Sequence, residues 1–139
     1  GQECRHNLAY WRGQDYAGIG PGAHGRLSAG PGRYAARQYR APETWLEAVE
    51  RQGHGTESVE RLSASERRAE LLMMGLRLAE GVSRFRFIAA TGQSFEDELG
   101  REKLNPLVEG GFLELGESAL RATPAGRQRL NAVLGKLLA

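Results

Sequence analysis

The hydrophobic pattern divides the chain into a short front part and a longer helical part. Before residue 42 no helical repeat is present, and glycines together with Pro21 break the chain into short pieces. Two short strands and one hairpin are predicted there: the strands at Tyr10-Trp11 and Tyr16–Ile19, and the hairpin between Gly25–Leu27 and Arg33–Tyr39, turning at Ser28–Gly32.

From Pro42 onward the pattern is helical. A first helix is predicted from Pro42 to Gly53, with Trp45, Leu46 and Val49 on one face, followed by an extended segment at Glu57–Leu62. The clearest helix follows a capping box of Ser63 and Glu66 and is predicted to end at Gly81. Its core stripe is Ala69, Leu72, Met73, Leu76 and Ala79, widened by Leu71, Met74 and Leu78.

The remaining pattern predicts helices, then a hairpin, then a helix. Ser83 is expected to cap a helix that carries Phe85, Phe87 and Ile88 and stops at Gly92. A helical turn capped by Ser94 follows, and then a helix through Leu104–Val108 that Pro106 should kink. A hairpin of Phe112–Leu115 with Leu120–Ala122 is predicted next. Thr123 is the expected N-cap of the last helical segment, which carries Leu130, Val133, Leu134, Leu137 and Leu138. This order is typical of a winged-helix-like module.

Composition sets limits on the class of protein. The 139 residues are 40% hydrophobic, enough for a core, yet no apolar run approaches the ~20 residues of a membrane span. The start at Gly1, without methionine or secretory segment, predicts a piece of a longer protein. The one cysteine, Cys4, excludes an internal disulfide and a multi-cysteine metal cage, so we expect a reducing, cytoplasmic setting.

Charge is concentrated at the front of the chain. Residues 1–41 carry six arginines against two carboxylates, a net of +4, whereas the remaining 13 basic and 15 acidic residues give −2. A basic front favours a small anionic ligand there. Because a DNA-binding face has to be basic, the net-negative remainder makes nucleic-acid binding the minor alternative, and we expect no nucleic-acid partner.

The front also holds a glycine-dense stretch, GPGAHG at residues 20–25, that matches G-x-G-x-x-G. As a dinucleotide fingerprint it fails, because the glycines should open a helix and Arg26–Gly32 is full of helix breakers. Two interpretations stay open: a tight structural turn, or a loop whose bare backbone approaches a ligand closely.

His6 is the candidate metal ligand. A neutral imidazole can bind haem iron, Tyr10 and Trp11 offer flat apolar surface, and Arg5 and Arg12 could pair with carboxylates such as haem propionates. We therefore hypothesise that Arg12 pairs with a propionate. The alternatives are a hydrogen-bonded structural histidine and plain packing of the two aromatic rings.

Four segments resemble one family. CRHNLAYW at residues 4–11 carries HNxxYW, and DYAGIGPGAHG at residues 15–25 follows it. ELLMMGLRLAEGV at 70–82 and LRATPAGR at 120–127 are similar to the beginning and end of a C-terminal domain. Together they resemble the haem chaperones of the oxygen-independent coproporphyrinogen III oxidase-like radical SAM family.

The resemblance implies the site and its cofactors. His6 would bind haem iron beside Asn7, Tyr10 and Trp11, and a loop containing Gly18, Gly20, Gly22 and His24 would lie against S-adenosylmethionine. No catalytic residue is predicted. The family's CxxxCxxC motif, which holds a [4Fe–4S] cluster, is absent, so this chain should be inactive alone in radical chemistry. The alternative is a coproporphyrinogen III oxidase of porphyrin biosynthesis, but those enzymes have arginine where His6 stands.

The resemblance also sets the expected architecture. We expect an α+β fold in which C-terminal strands and loops of a partial (β/α) barrel, at 1–41, precede a mainly helical winged-helix-like domain at 63–139. Residues 42–62 would connect them. The expected partners are haem and haem-receiving proteins, with no membrane span, and a homodimer stays open.

Overall fold

Helices and antiparallel strands occur together in the described part of the chain, which confirms the α+β class. The computed structural model describes residues 14–30 and 32–139. These form two compact units, Gln14–Ser63 and Ala64–Ala139. Neither that division nor any other observation tests the assignment of residues 1–41 to a barrel, which stays a prediction.

The first unit is built on a three-stranded antiparallel sheet. Its strands are β1 (His24–Ala29), β2 (Gly32–Gln38) and β3 (Thr56–Arg61), in the order β1-β2-β3, and helix α1 (Pro42–Gln52) connects β2 to β3. Leu27 lies opposite Tyr34, and Ala36 lies opposite Val59. The predicted hairpin is therefore confirmed, and the predicted extended segment at Glu57–Leu62 becomes the third strand.

Tyr16–Ile19 does not form the predicted strand. Tyr16 alone makes an isolated antiparallel bridge with Arg26, and the chain leaves the sheet directly afterwards. The reason is the glycine spacing that follows, because two left-handed glycines at positions 20 and 22 turn the chain within a few residues. The other predicted short strand, Tyr10-Trp11, lies outside the described residues.

Helix α1 begins and ends as predicted, but its buried face is different. Gly53 closes it in the left-handed region with φ 86°, where its N–H donates to Val49 O. Ala48 is buried and Leu46 is exposed, so placing Leu46 on the core face was wrong. Trp45 turns toward the sheet, where its indole N–H donates to Gln38 Oε1 at 3.0 Å.

The second unit has the winged-helix order. Helix α2 (Ala64–Gly75), strand β4 (Val82–Ser83) and helices α3 (Arg84–Thr91), α4 (Phe95–Leu99) and α5 (Arg101–Glu109) precede a hairpin of β5 (Leu113–Leu115) and β6 (Ala119–Ala122). β6 lies between β4 and β5 in an antiparallel sheet. Helices α6 (Pro124–Gln128) and α7 (Leu130–Leu137) follow.

One hydrophobic core holds this unit together. Phe87 and Phe95 are fully buried with ring centroids 4.6 Å apart. Each such side chain contributes about 1.5–3 kcal/mol by burial. The buried aliphatic residues around them come from helices α2, α4, α5 and α7 and from all three strands, together with the loop after α2: Leu72, Leu76, Val82, Leu99, Leu104, Leu107, Leu113, Leu120, Ala122, Val133, Leu134 and Leu137.

Three predicted helix caps are confirmed. The hydroxyl oxygens of Ser83, Ser94 and Thr123 accept from the backbone N–H groups of Arg86, Asp97 and Gly126, at 3.3, 3.2 and 3.1 Å. Each satisfies a donor that the first helical turn leaves without an intrahelical partner.

The predicted end of α2 at Gly81 is wrong, because the helix stops at Gly75. At Gly75 and at Gly81 the backbone passes so close to other residues that a side chain would not fit. A Cβ at Gly75 would lie 2.6 Å from Val82 Cγ2, and one at Gly81 would lie 2.2 Å from Leu120 O. Tight turns between them bury Leu76 and Leu78. Met73, within α2, and Ala79, in the turns, were predicted core residues and are exposed.

Pro106 does not end its helix, and the last helical segment is divided into two helices. Pro106 lies inside α5 with its ring exposed, and the helix continues for three more residues. The chain leaves helical geometry at Arg129, which separates α6 from α7. The final helix itself is confirmed, with Val133, Leu134 and Leu137 buried.

An ion pair ties α3, α4 and the hairpin turn together. Arg84 donates to both Glu96 carboxylate oxygens, at 2.8 and 3.0 Å, and to Gly116 O at 2.9 Å, while its guanidinium lies 5.1 Å from the Phe95 ring centre. The Arg84 hydrogen bonds lower the pKa of Glu96 to about 2, against the opposing effect of burial. The hydrogen bond to Glu96 also raises the pKa of Arg84.

We expect Glu96 to make the free energy of unfolding fall steeply as the pH is lowered. Because its folded pKa of about 2 lies below its ordinary value of 4.5, its contribution is complete above pH 4.5 and is lost as pH falls toward 2. At about 1.4 kcal/mol per pKa unit, the difference between 4.5 and about 2 corresponds to at most about 3.5 kcal/mol. Glu96→Gln should flatten the free energy of unfolding between pH 4.5 and 2, measured by urea denaturation.

Glu114→Gln is the matched control for that measurement. Glu114 pairs with Arg121 at 3.5 Å, but both side chains are more than half exposed, so solvent screens the pair. An equal flattening in both variants would contradict the special role of Glu96.

Candidate functional site

The described residues contain half of the predicted site. Gly18, Gly20, Gly22 and His24 lie in the loop that leads into β1. His6, Asn7, Tyr10 and Trp11 fall in residues 1–13, outside the described residues, so the predicted haem-binding motif stays a prediction. The site that follows is built from the loop and from the residues that hold it.

The loop is closed at its base by the Tyr16–Arg26 bridge. The two residues exchange backbone hydrogen bonds in both directions, each at 2.9 Å. The chain between them projects from the edge of the sheet and carries Ile19, whose surface is 89% exposed. The loop therefore has a fixed base and an accessible apolar residue beside Gly18 and Gly20.

Within the loop, residues 20–23 form a tight turn. Ala23 N–H donates to Gly20 O at 3.2 Å, and Pro21 and Gly22 occupy the two central positions. Gly22 has φ 74°, as the third residue of a type II turn requires. The turn is fastened to the end of β2, because Gly22 N–H donates to Tyr39 O and Gln38 N–H donates to Ala23 O. The structural-turn interpretation of the glycine motif is thus confirmed, and contact with a ligand stays a prediction.

The glycines of the loop have different roles. A Cβ at Gly18 would lie 2.3 Å from His24 O and 2.8 Å from Ala23 Cβ, and one at buried Gly25 would lie 3.0 Å from Tyr16 O. These two glycines let the loop close on itself. At Gly20, which has φ 105°, the Cβ position is open space. The backbone at Gly20 is therefore the point where another molecule could approach the loop most closely.

His24 begins β1 at the end of the loop. Its side chain is exposed, and its partner across the hairpin is Arg37, which forms an ion pair with Glu57 at 3.0 Å. The imidazole and this pair put ionisable groups beside the glycine turn. An exposed ring can act as a hydrogen-bond donor or acceptor to a bound molecule, depending on its tautomer.

One buried charged residue beside the loop was missed by the sequence reasoning. Arg33, in β2, is 93% buried, and its guanidinium donates to Asp15 Oδ1 at 3.3 Å and to Gln14 O at 3.1 Å. Asp15 also accepts from the backbone N–H and the hydroxyl of Ser28, at 2.9 and 2.8 Å. The sequence showed Arg33 only as one of six basic residues, because alternation along a strand does not reveal a buried charge.

Two searches of the described residues bear on other kinds of site. Over residues 14–30 and 32–139, no group of three or more histidine, cysteine, aspartate or glutamate side chains could hold a metal ion. Over the same residues, no helix is long and apolar enough to cross a membrane.

Comparison with known proteins decides the family. Residues 43–129 match the model of the HemN C-terminal domain. The chain belongs to the HemN C-terminal domain family. The match begins at the start of α1 and ends before α7, so it includes most of the winged-helix unit and leaves out the glycine loop.

Similar proteins extend the likeness to the front of the chain. The heme chaperone HemW of Escherichia coli is 34% identical over 100% of this chain, and HemW of Bacillus subtilis is 31% identical over 99%. A mitochondrial radical S-adenosyl methionine domain-containing protein 1 of Danio rerio is 33% identical over 96%. The chain spans about a third of the length of these relatives, 31–35%.

A solved structure supports the fold. The radical SAM enzyme coproporphyrinogen III oxidase (HemN) of Escherichia coli superposes with a TM-score of 0.58 over 89% of this chain and 28% of its own. The sequence identity is 17%, so the likeness shows a common fold alone. The resemblance stated from the four sequence segments is confirmed at the level of the family.

The closed loop predicts an unequal response to two alanine substitutions. Gly18→Ala should lower the free energy of unfolding by about 2–3 kcal/mol, because backbone atoms of His24 have to move. Gly20→Ala meets no neighbour and should cost about 1 kcal/mol, from its left-handed backbone alone. Urea denaturation measures both, and an equal loss would contradict the closed loop.

Proposed function

We propose that this chain is the haem-binding and C-terminal part of a haem chaperone of the radical SAM type. The observation that carries the proposal is the extent of the HemW likeness. The HemN domain model begins at residue 43, whereas the E. coli HemW match covers the whole chain, including His6–Trp11 and the glycine loop. The front segments therefore share the sequence likeness to HemW, although the domain model does not include them.

Haem is the cargo in this proposal, and the residue chemistry fits it. His6 supplies the axial imidazole, Tyr10 and Trp11 supply flat apolar surface, and Asn7 lies next to the ligand in sequence. Arg12 pairs with a propionate, as the basic front of the chain favours. The proteins that would receive the haem are the partners of this function.

The glycine loop fits a second small molecule. In the proposal, Gly18, Gly20, Gly22 and His24 lie against S-adenosylmethionine, with Gly20 at the closest approach, since its Cβ position is open and its backbone requires glycine. A [4Fe–4S] cluster would supply the electron for radical cleavage of this molecule. With one cysteine in 139 residues, the chain itself offers no CxxxCxxC ligand set, so such ligands would come from outside it.

The second candidate is oxidation of coproporphyrinogen III. The fold similarity to the E. coli oxidase favours it, but at 17% identity that similarity does not extend to activity. His6 stands where the oxidase pattern has arginine, so we place the chaperone function first. A cytoplasmic location and a homodimer remain part of the proposal, although relatives such as the Danio rerio protein carry the word mitochondrial in their names.

His6→Ala tests the proposal in the 139-residue chain. Titration with ferric haem should give a Soret band with the wild-type chain, and the variant should shift that band and weaken affinity at least about tenfold, equal to about 1.4 kcal/mol. The loss follows because the iron would exchange an imidazole ligand for water. His54→Ala is the matched control, since His54 lies exposed in the turn between α1 and β3.

Three outcomes separate the candidates. A wild-type chain that binds no haem contradicts the chaperone proposal, and an unchanged spectrum in His6→Ala removes His6 as the ligand. Turnover of coproporphyrinogen III by a longer protein containing this chain, together with weak haem binding, would favour the oxidase.

A further inference from the structure

The three-stranded sheet of the first unit has one apolar face. In an antiparallel sheet, residues directly opposite each other point to the same side, and so do residues two apart along a strand. Leu27 lies opposite Tyr34, and Ala36, two residues further along β2, lies opposite Val59. These four side chains therefore form a band across all three strands, which we call the apolar stripe.

The other face of the same sheet is charged. Arg26, Arg33 and Arg37 point to it, and Glu60 lies there opposite Ala35. An antiparallel sheet commonly packs its apolar face on a core and turns its polar face to water. The apolar stripe is therefore the face that we expect to be covered.

The apolar stripe is nevertheless open to solvent. Leu27 is 44% exposed, Val59 is 55% exposed, and Tyr34 and Ala36 are partly exposed. Over residues 14–30 and 32–63, Ala48 in α1 is the only buried hydrophobic side chain, so the described part of this unit provides no core for the stripe to join. An exposed apolar patch of this kind marks a binding surface.

Two polar groups at one end of the stripe have no partner. Arg61 lies opposite Tyr34 and points to the same side of the sheet. Within the part of the chain that the structure describes, neither the Arg61 guanidinium nor the Tyr34 hydroxyl makes a hydrogen bond or an ion pair. Glu60, the neighbouring carboxylate, points to the other face. A free guanidinium beside an apolar surface suits a ligand that carries a carboxylate, which it can bind through two parallel hydrogen bonds.

The stripe is flat as well as apolar. A Cβ at Gly32 would lie 2.9 Å from Tyr34 Cε2, so the Tyr34 ring lies along β2 over that glycine. Ala36 is small, and three strands about 4.8 Å apart span about 10 Å. A planar aromatic molecule of similar width, such as a porphyrin, could lie across the strands and stack on the Tyr34 ring.

A protein partner fits the stripe less well. A stable protein interface needs about 800 Å² from each side. Aromatic side chains bury about 150–250 Å² each, and Tyr34 is the one aromatic residue of the four. The stripe therefore matches the size of a small planar ligand better than that of a second protein surface.

We propose that the apolar stripe binds the flat face of a porphyrin, with a porphyrin carboxylate on Arg61 and the Tyr34 hydroxyl. The choice of a porphyrin rests on the proposed function, in which haem is the cargo. This contact depends on the ring and its carboxylates and needs no bond to iron. The alternative occupants are a second copy of this chain and the remainder of a longer protein.

Metal-free protoporphyrin IX is the probe, because it has the ring and the carboxylates but no iron for a histidine to bind. Titration of the 139-residue chain, followed by porphyrin fluorescence, should show saturable binding. Arg61→Ala should weaken the affinity about fivefold and leave the affinity for the dimethyl ester unchanged, because the ester has no carboxylate to pair. Arg51→Ala is the matched control, since Arg51 is exposed in the last turn of α1.

Val59→Ser tests the apolar contact. It should weaken the affinity for protoporphyrin and for its dimethyl ester alike, by roughly fivefold, because apolar surface of the stripe is lost. Leu46→Ser is the control, since Leu46 is similarly exposed, at 52%, but lies on α1. In the wild-type chain, the porphyrin ring current should shift the methyl NMR signals of Leu27 and Val59 and leave those of Leu46 in place.

The outcomes separate this inference from the proposed function. Protoporphyrin binding without shifts at Leu27 and Val59, or with equal affinities in the variants and their controls, overturns the inference and leaves the chaperone proposal standing. Ferric haem binding without protoporphyrin binding does the same. A chain that binds protoporphyrin on the stripe but binds no ferric haem contradicts the chaperone proposal and keeps the inference.

Two results would assign the stripe to another occupant and so overturn the inference. One is a dimer, seen by sedimentation velocity, that Val59→Ser dissociates and protoporphyrin does not. The other is the loss of the Leu27 and Val59 shifts in a longer protein that contains this chain.

Discussion

A guanidinium held away from water needs a carboxylate partner, and each unit of this protein contains such a pair. In the first unit Arg33 gathers Gln14 and Asp15 onto the β1–β2 hairpin. In the second, Arg84 joins the start of α3 to α4 and to the turn of the hairpin. Removing the carboxylate would leave Arg33, which is 93% buried, or Arg84, whose side chain is 22% exposed, without its counter-charge, and an uncompensated charge of this kind is destabilising.

The glycine loop depends on a second constraint, which is the lack of space for side chains. Gly18 and Gly25 have no room for a side chain because the loop closes on its own backbone, whereas Gly20 and Gly22 have left-handed φ angles that side chains rarely adopt. Four glycines therefore serve one turn for two different reasons. A motif spacing such as G-x-G-x-x-G does not separate these reasons, which explains why the sequence left both a turn and a ligand loop open.

The sequence predicts well those features that depend on residues close together along the chain, and it predicts poorly those that depend on residues far apart. Helix caps at Ser83, Ser94 and Thr123 and the two hairpins depend on residues a few positions apart, and all were predicted. The chain after α2 depends on contacts that are distant in sequence, because Gly75 lies against Val82 and Gly81 lies against Leu120. Periodicity alone therefore extended the helix to Gly81. Burial of Arg33 depends on two segments meeting across the hairpin, and no local pattern contains that information.

The functional assignment depends on which part of the chain each comparison covers. A match confined to residues 43–129 fits a chaperone and an oxidase equally, because both kinds of protein would share the winged-helix unit. The segment before residue 42 has to distinguish the chaperone from the oxidase, and the sequence likeness to HemW extends through it. That segment is also where the charge is positive and where the buried Arg33 lies. Arg33 bonds Gln14 and Asp15, so the β1–β2 hairpin holds the described segment that enters the glycine loop.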